Sequence, residues 1–170
     1  MSVFYPDKKE KTMAKKTKTQ GPTEKALKIV AAAMAWARKR GIKLVAEDWG
    51  VQYNAEKKKF ETSENNCACA FGAYLVCKNP KVTKTELANV YGTEGLEDLN
   101  DAVAYNPIIE DGDFLVRKIG QSLGLTAKQI ERFIKSYDRG KNERDKPKSV
   151  IDKNAYKLRD KYAPEEDNGW

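Results

Sequence analysis

The chain contains no histidine at all. Histidine is the side chain most often used for proton transfer near neutral pH and for activating a nucleophile. Its absence leaves only carboxylates, lysine, tyrosine and cysteine for such chemistry. No phosphate-binding loop, GxSxG elbow or dinucleotide fingerprint is present either. Cysteine is scarce, with Cys67, Cys69 and Cys77 the only three. An odd, low count fits a reducing compartment better than a disulfide framework. Their spacing, CxC followed by a long gap with neither a fourth cysteine nor a histidine, does not make a zinc site, and the three read as small apolar filler. The longest apolar run, Cys67 to Cys77, is too short to span a bilayer. The N-terminus has no apolar signal core and is too poor in arginine for a mitochondrial address. The expected protein is therefore cytoplasmic and non-enzymatic, with no cofactor, no metal, no catalytic residue and no membrane partner. A carboxylate- or lysine-based enzyme is the minor alternative.

What the sequence does have is charge, unevenly placed. Of 170 residues 34% are charged and the net charge is +7. Residues 1–28 carry eight lysines against three acidic side chains. The rest of the chain is close to neutral. Residues 1–22 thus read as a flexible basic arm, with Lys8, Lys9, Lys11, Lys15, Lys16 and Lys18 as candidate nucleic-acid contacts. The bland reading of the same arm is a solvated tail. Met13 is a second candidate start.

The remaining sequence reads as mainly α, a compact helical domain of about five to six helices with one small β-hairpin. Residues 23–140 form the expected globular part. A helix over 23–40 is signalled by Thr23 as cap, Gly41 as stop and Leu27, Val30, Met34 and Ala37 on one face, widened by Ile29, Ala33 and Trp36. Trp49, Val51 and Tyr53 alternate with polar residues and face Phe60 and Thr62 across a polar turn, which predicts the hairpin. Asn66 then opens CACAFGAYLVCK, apolar on every face and hence a central helix, closed by Asn79-Pro80. Gly72 within it is expected at a close helix crossing. Further helices are expected from Thr83 to Gly92 and over 94–104. One capped by Asp113 should run to Leu123, and one should run from Thr126 to about Tyr137. The acidic cluster Glu110, Asp111 and Asp113 suits a helix start. Residues 141–170 read as a charged linker and an appended C-terminal helix. Ser149 and Asp152 open that helix. Ile151, Ala155, Leu158 and Tyr162 form a stripe that needs either the chain's own core or a partner to cover it. Ile151, Leu158 and Tyr162 are its candidate docking residues.

The segment IGQSLGLTAKQIERFI, residues 119–134, resembles the helix-turn-helix of DNA-binding regulators and sigma-factor-type domains. Gly120 is the small residue within the first helix and Gly124 lies in the turn. Thr126 caps the second helix, and Ile130 and Phe133 pin it. The resemblance implies that Lys128, Gln129, Arg132 and Lys135 face outward toward phosphates and base edges. A plain helical hairpin with a glycine turn would share this pattern. The order of a helix, a tryptophan-containing hairpin, Cys69-Ala70-Phe71-Gly72-Ala73 and a late helix pair also resembles small uncharacterised domains of bacteria and their phages. Tyr137-Asp138-Arg139-Gly140 departs from their ending by a tyrosine in the first position. That likeness implies a helical fold in a mobile-element setting, with the host cytoplasm or the virion as location, and no activity. The leading expectation is a nucleic-acid-binding protein. The alternative is a protein-binding or virion-structural component whose tails dock on a partner such as an acidic protein surface.

Overall fold

The computed structural model describes residues 21–54, 57–83 and 114–164. Helix α1 spans Pro22–Lys39. Proline suits its first turn, where no intrahelical amide bond is lost. The Gly21 amide donates to Glu24 Oε1 at 3.3 Å, so the helix starts one residue before the expected Thr23 cap. Gly41, at φ +82°, ends it in the left-handed region. Ala26, Leu27, Val30, Ala33, Met34 and Ala37 are buried, as the spacing predicts. Ile29 is 40% exposed and does not belong to the packed stripe.

After α1 come two short strands that hydrophobic patterning does not reveal. Strand β1, Lys43–Leu44, pairs in parallel with β4, Cys67–Ala68, with Lys43 opposite Cys67. Between them lies the expected hairpin, β2 Val51–Asn54 against β3 Lys59–Thr62, antiparallel, with Tyr53 opposite Phe60. Val51 and Tyr53 face inward with Phe60, and the Tyr53 and Phe60 rings meet edge to face at 5.1 Å. Trp49, just outside β2, is almost fully buried.

Helix α2 spans Ala70–Lys78, not the longer stretch from Cys67. Asn66 is not its cap. That residue takes φ +51°, and its side chain donates to the Gly41 carbonyl. The cap is Cys69, whose Sγ accepts from the Gly72 amide at 3.3 Å. Ala70 through Leu75 are all buried, so the helix is central as its composition requires. Gly72 is a close-approach position, but its neighbour is not another helix. A Cβ there would lie 2.2 Å from the Trp49 carbonyl oxygen. At the far end Asn79, in the left-handed region at φ +45°, accepts from the Phe60 amide and donates to the Phe60 carbonyl. Its side-chain amide thus mimics a strand partner for β3.

Helices α3, Phe114–Leu123, and α4, Ala127–Asp138, form the expected pair. Phe133 on α4 packs 4.9 Å from Phe71 on α2 and 5.9 Å from Tyr137. A short 3-10 turn, Lys141–Glu143, leads toward α5, Val150–Tyr162. This last helix packs against both α1 and α4. Ile151, Ala155, Leu158 and Tyr162 are buried in the same core as Leu27 and Phe71. Of the two surfaces open to that stripe, it takes the chain's own core. The described part is mainly α, with five α-helices and one small antiparallel hairpin. No helix among the described residues is long and apolar enough to cross a membrane. Residues 1–20 of the expected arm, residues 84–92 of the helix expected from Thr83, the helix expected over 94–104, the acidic cluster and the Asp113 cap lie outside the described residues.

Candidate nucleic-acid interface

The helix pair is built by local signals. Thr126 Oγ1 accepts from the Gln129 amide at 3.1 Å while Gln129 Oε1 accepts from the Thr126 amide at 2.9 Å. This reciprocal box satisfies two amides at the start of α4. Gly124 turns the chain at φ +82°. Gly120 must lack a side chain, because a Cβ would meet the Leu125 carbonyl at 2.5 Å. Ile130 and Phe133 are buried, which fixes the rotation of α4. Lys128, Glu131, Arg132 and Lys135 are left on its outer side and exposed.

Two of the four expected contact residues are already engaged. Gln129 is half-buried, held by the capping box, and its Nε2 donates to Thr23 Oγ1 at 3.3 Å. It does not present a free amide to a base edge, which corrects the expectation that it faces outward. Arg132 donates through Nε and Nη2 to the two carboxylate oxygens of Asp152, both at 2.9 Å. Its side chain stays 47% exposed, whereas that of Asp152 is 7% exposed. Asp152 also accepts from Ser136 Oγ and from the Lys148 amide, each at 2.9 Å. Four donors, the Arg132 guanidinium first, hold its carboxyl well below the usual carboxylate range. The same pairing raises the Arg132 pKa further.

Residues 138–148 are expected as a charged linker; residues 139–149 instead form a strap fastened at several points. Arg139 pairs with Asp145 at 3.1 Å. Arg144 pairs with Asp160 through both guanidinium nitrogens, at 2.7 and 3.1 Å, and lies 4.6 Å above the Tyr156 ring. The Tyr156 hydroxyl donates to the Asp145 carbonyl at 3.0 Å. The strap thereby sets Lys146 and Lys148 opposite α4. Between strap, α4 and α5 lies a cleft of about 370 Å³, lined by Lys128, Arg132, Lys135, Lys146, Lys148 and Tyr156 among others. Arg132 with Asp152, and Arg139 with Asp145, are neutral pairs in its wall. Among the described residues no ion pair engages Lys128, Lys135, Lys146 or Lys148, and Glu131 is the one further acid in the lining.

Lys146 and Lys148 escaped the sequence reading because a Lys-Pro-Lys run between helices looks like any solvated linker. Asp152 was legible as a residue of the first turn of α5. Its service to Arg132 and Ser136 depends on how α4 and α5 pack. The docking candidates Ile151, Leu158 and Tyr162 are each less than 9% exposed and are not available as a surface stripe. The basic arm, with Lys8, Lys9, Lys11, Lys15, Lys16 and Lys18, lies outside the described residues.

The cysteines sit elsewhere. Burial pushes the Cys69 thiol up to about 12, so it is protonated and inert at neutral pH. Burial, with a contribution from Asp48, raises Cys67 as well. Among the described residues no group of three potential ligands could hold a metal ion. Comparison with protein families, with curated proteins and with solved structures found no match to this chain.

Proposed function

We propose that this protein is a non-enzymatic nucleic-acid-binding protein that grips the phosphate backbone rather than reading base edges. The observation that carries the reading is the cleft lined by Lys128, Lys135, Lys146 and Lys148, none of which is in an ion pair among the described residues. Like charges gathered in a hollow reinforce one another's potential and favour a polyanion. The lysines of residues 1–28 add long-range attraction of the same sign. The helix-turn-helix-like pair serves as scaffold in this reading. It orients Lys128, Arg132 and Lys135 along one wall, while Gln129 is bonded internally.

The competing reading, docking on an acidic protein, draws on the same positive face. It has lost its second support, since the stripe on α5 is buried in the chain's own core. Binding of a labelled oligonucleotide at low salt tests the proposal. Replacing Lys128 and Lys135 by alanine removes two charges from exposed positions and should leave the helical circular dichroism intact. Each exposed ion contact is worth about 0.5–1 kcal/mol, so the double change should weaken binding roughly five- to thirtyfold. Absence of binding by the intact chain would reject the reading and bring the acidic-protein partner forward.

A further inference from the structure

We propose, resting on the nucleic-acid reading above, that the cleft takes a single strand and excludes a duplex. The cationic side of α4 is not a projecting ridge. It borders an open cleft that Lys146 and Lys148 of the strap and Tyr156 on α5 also line. For α4 to lie in a major groove, that side would have to project clear of its neighbours. It does not, because α5 is fastened alongside through Asp152, which holds both Arg132 and Ser136. The major groove is about 12 Å wide and admits one helix. Because Arg132 on the cationic face is itself bonded to Asp152, α5 sits against the side of α4 that would have to enter. A strand without its complement meets no such obstacle. A cleft of about 370 Å³ falls at the lower end of the size range of small-molecule sites and suits backbone groups admitted one or two at a time.

The donors fit phosphate. A guanidinium has five N–H groups. Asp152 takes one from Nε and one from Nη2, which leaves three on a planar group that is half-exposed and held still. Such a fixed fork matches a phosphate with little loss of side-chain freedom on binding. Lys128 lies four residues before Arg132 and Lys135 three after it, so the three occupy one face of α4 at successive turns. Lys146 and Lys148 face them from the strap. Because these contacts go to the backbone, the site should show little preference among sequences.

The test compares the full chain on a labelled mixed-sequence single strand and on the corresponding duplex, at the same salt. The single strand should bind tighter by about fivefold or more. Replacing Lys146 and Lys148 together by alanine keeps the Lys148 amide that Asp152 needs, and circular dichroism checks the fold. That variant should lose about tenfold on the single strand and less than about twofold on the duplex, whose attraction then comes from the arm. A duplex bound as tightly as the strand, or equal losses on both, overturns the single-strand assignment and leaves nucleic-acid binding standing. No binding to either ligand by the intact chain overturns both.

Discussion

Gly72 shows how much one missing methyl group decides. The start of α2 slides under the Trp49 carbonyl so closely that any side chain at this position collides with backbone, which cannot rotate away. Overpacking of this kind costs roughly 1–3 kcal/mol and sometimes more. Gly72→Ala should therefore lower the melting midpoint by about 2–12 °C in a chain of this size. Gly41→Ala provides the contrast. Nothing lies within 4 Å of its added Cβ, so only the strain at φ +82° opposes it, worth about 1–2 kcal/mol. If Gly72→Ala melts at the parent midpoint, the close approach at Trp49 is wrong. Asp152 is the other decisive residue, and its effect depends on pH. Its carboxyl is held ionised below the ordinary range, so its stabilising contribution is complete above the unfolded value of about 3.9 and fades as pH falls toward the folded one. Asp152→Asn weakens the bonds to Arg132 and Ser136 and should cost about 1.5–3 kcal/mol at neutral pH. Denaturant titrations should show the gap between parent and variant narrowing below about pH 4. A gap that is constant with pH would mean that the carboxylate charge has no part in holding α4 to α5.

Among the elements, α5 differs most from its expected role. Its stripe was visible in the sequence as Ile151, Ala155, Leu158 and Tyr162 at helical spacing, and so was its Ser149 cap, whose Oγ accepts from the Asp152 amide. Which surface would receive the stripe was not visible, because periodicity marks an apolar face without naming its partner. The structure places that face against α1 and α4. Leu158→Ala should then cost about 2–5 kcal/mol. Ending the chain after Lys148 should abolish cooperative unfolding instead of trimming a free helix. A truncated chain that still unfolds sharply at the parent midpoint would refute this. Other elements divide along the same line. The hairpin, the capping box at Thr126 and the burial of the α2 sequence all arise from near-neighbour chemistry and were readable. The parallel pair β1–β4 joins two-residue strands with 22 residues between Leu44 and Cys67, and no local pattern announces it. The same holds for the candidate site. Lys128, Arg132 and Lys135 are legible on the outer face of α4, while Lys146, Lys148 and Asp152 join them only through tertiary packing.

For the whole molecule, the question is how the two sources of positive charge share the work. Lysines that neutralise phosphates release counterions, so the logarithm of affinity should fall linearly with the logarithm of salt, by about 0.9 per contact on a duplex and about 0.7 on a single strand. Gly21 and Pro22 belong to the start of α1, so the arm is properly removed as residues 1–20. That deletion takes away six lysines and should flatten the salt dependence markedly. An unchanged slope would mean that the cleft alone makes the phosphate contacts.

The joining of α1 to α5 bears on the order in which the protein is made. Arg38 Nη2 donates to the Lys161 carbonyl at 2.8 Å across 123 positions of sequence, and its guanidinium lies 4.4 Å over the Tyr162 ring. At about 5–20 residues per second, the ribosome needs roughly 6–25 s after finishing the first of these helices before it supplies the last. During that interval the nascent chain has α2 to lay against α1 but lacks the helix that also packs against α1 and α4. The partly made protein therefore shows apolar surface to chaperones and proteases until α5 has been supplied. A chain that stops before Val150 would lack α5 altogether and be recognised as unfinished.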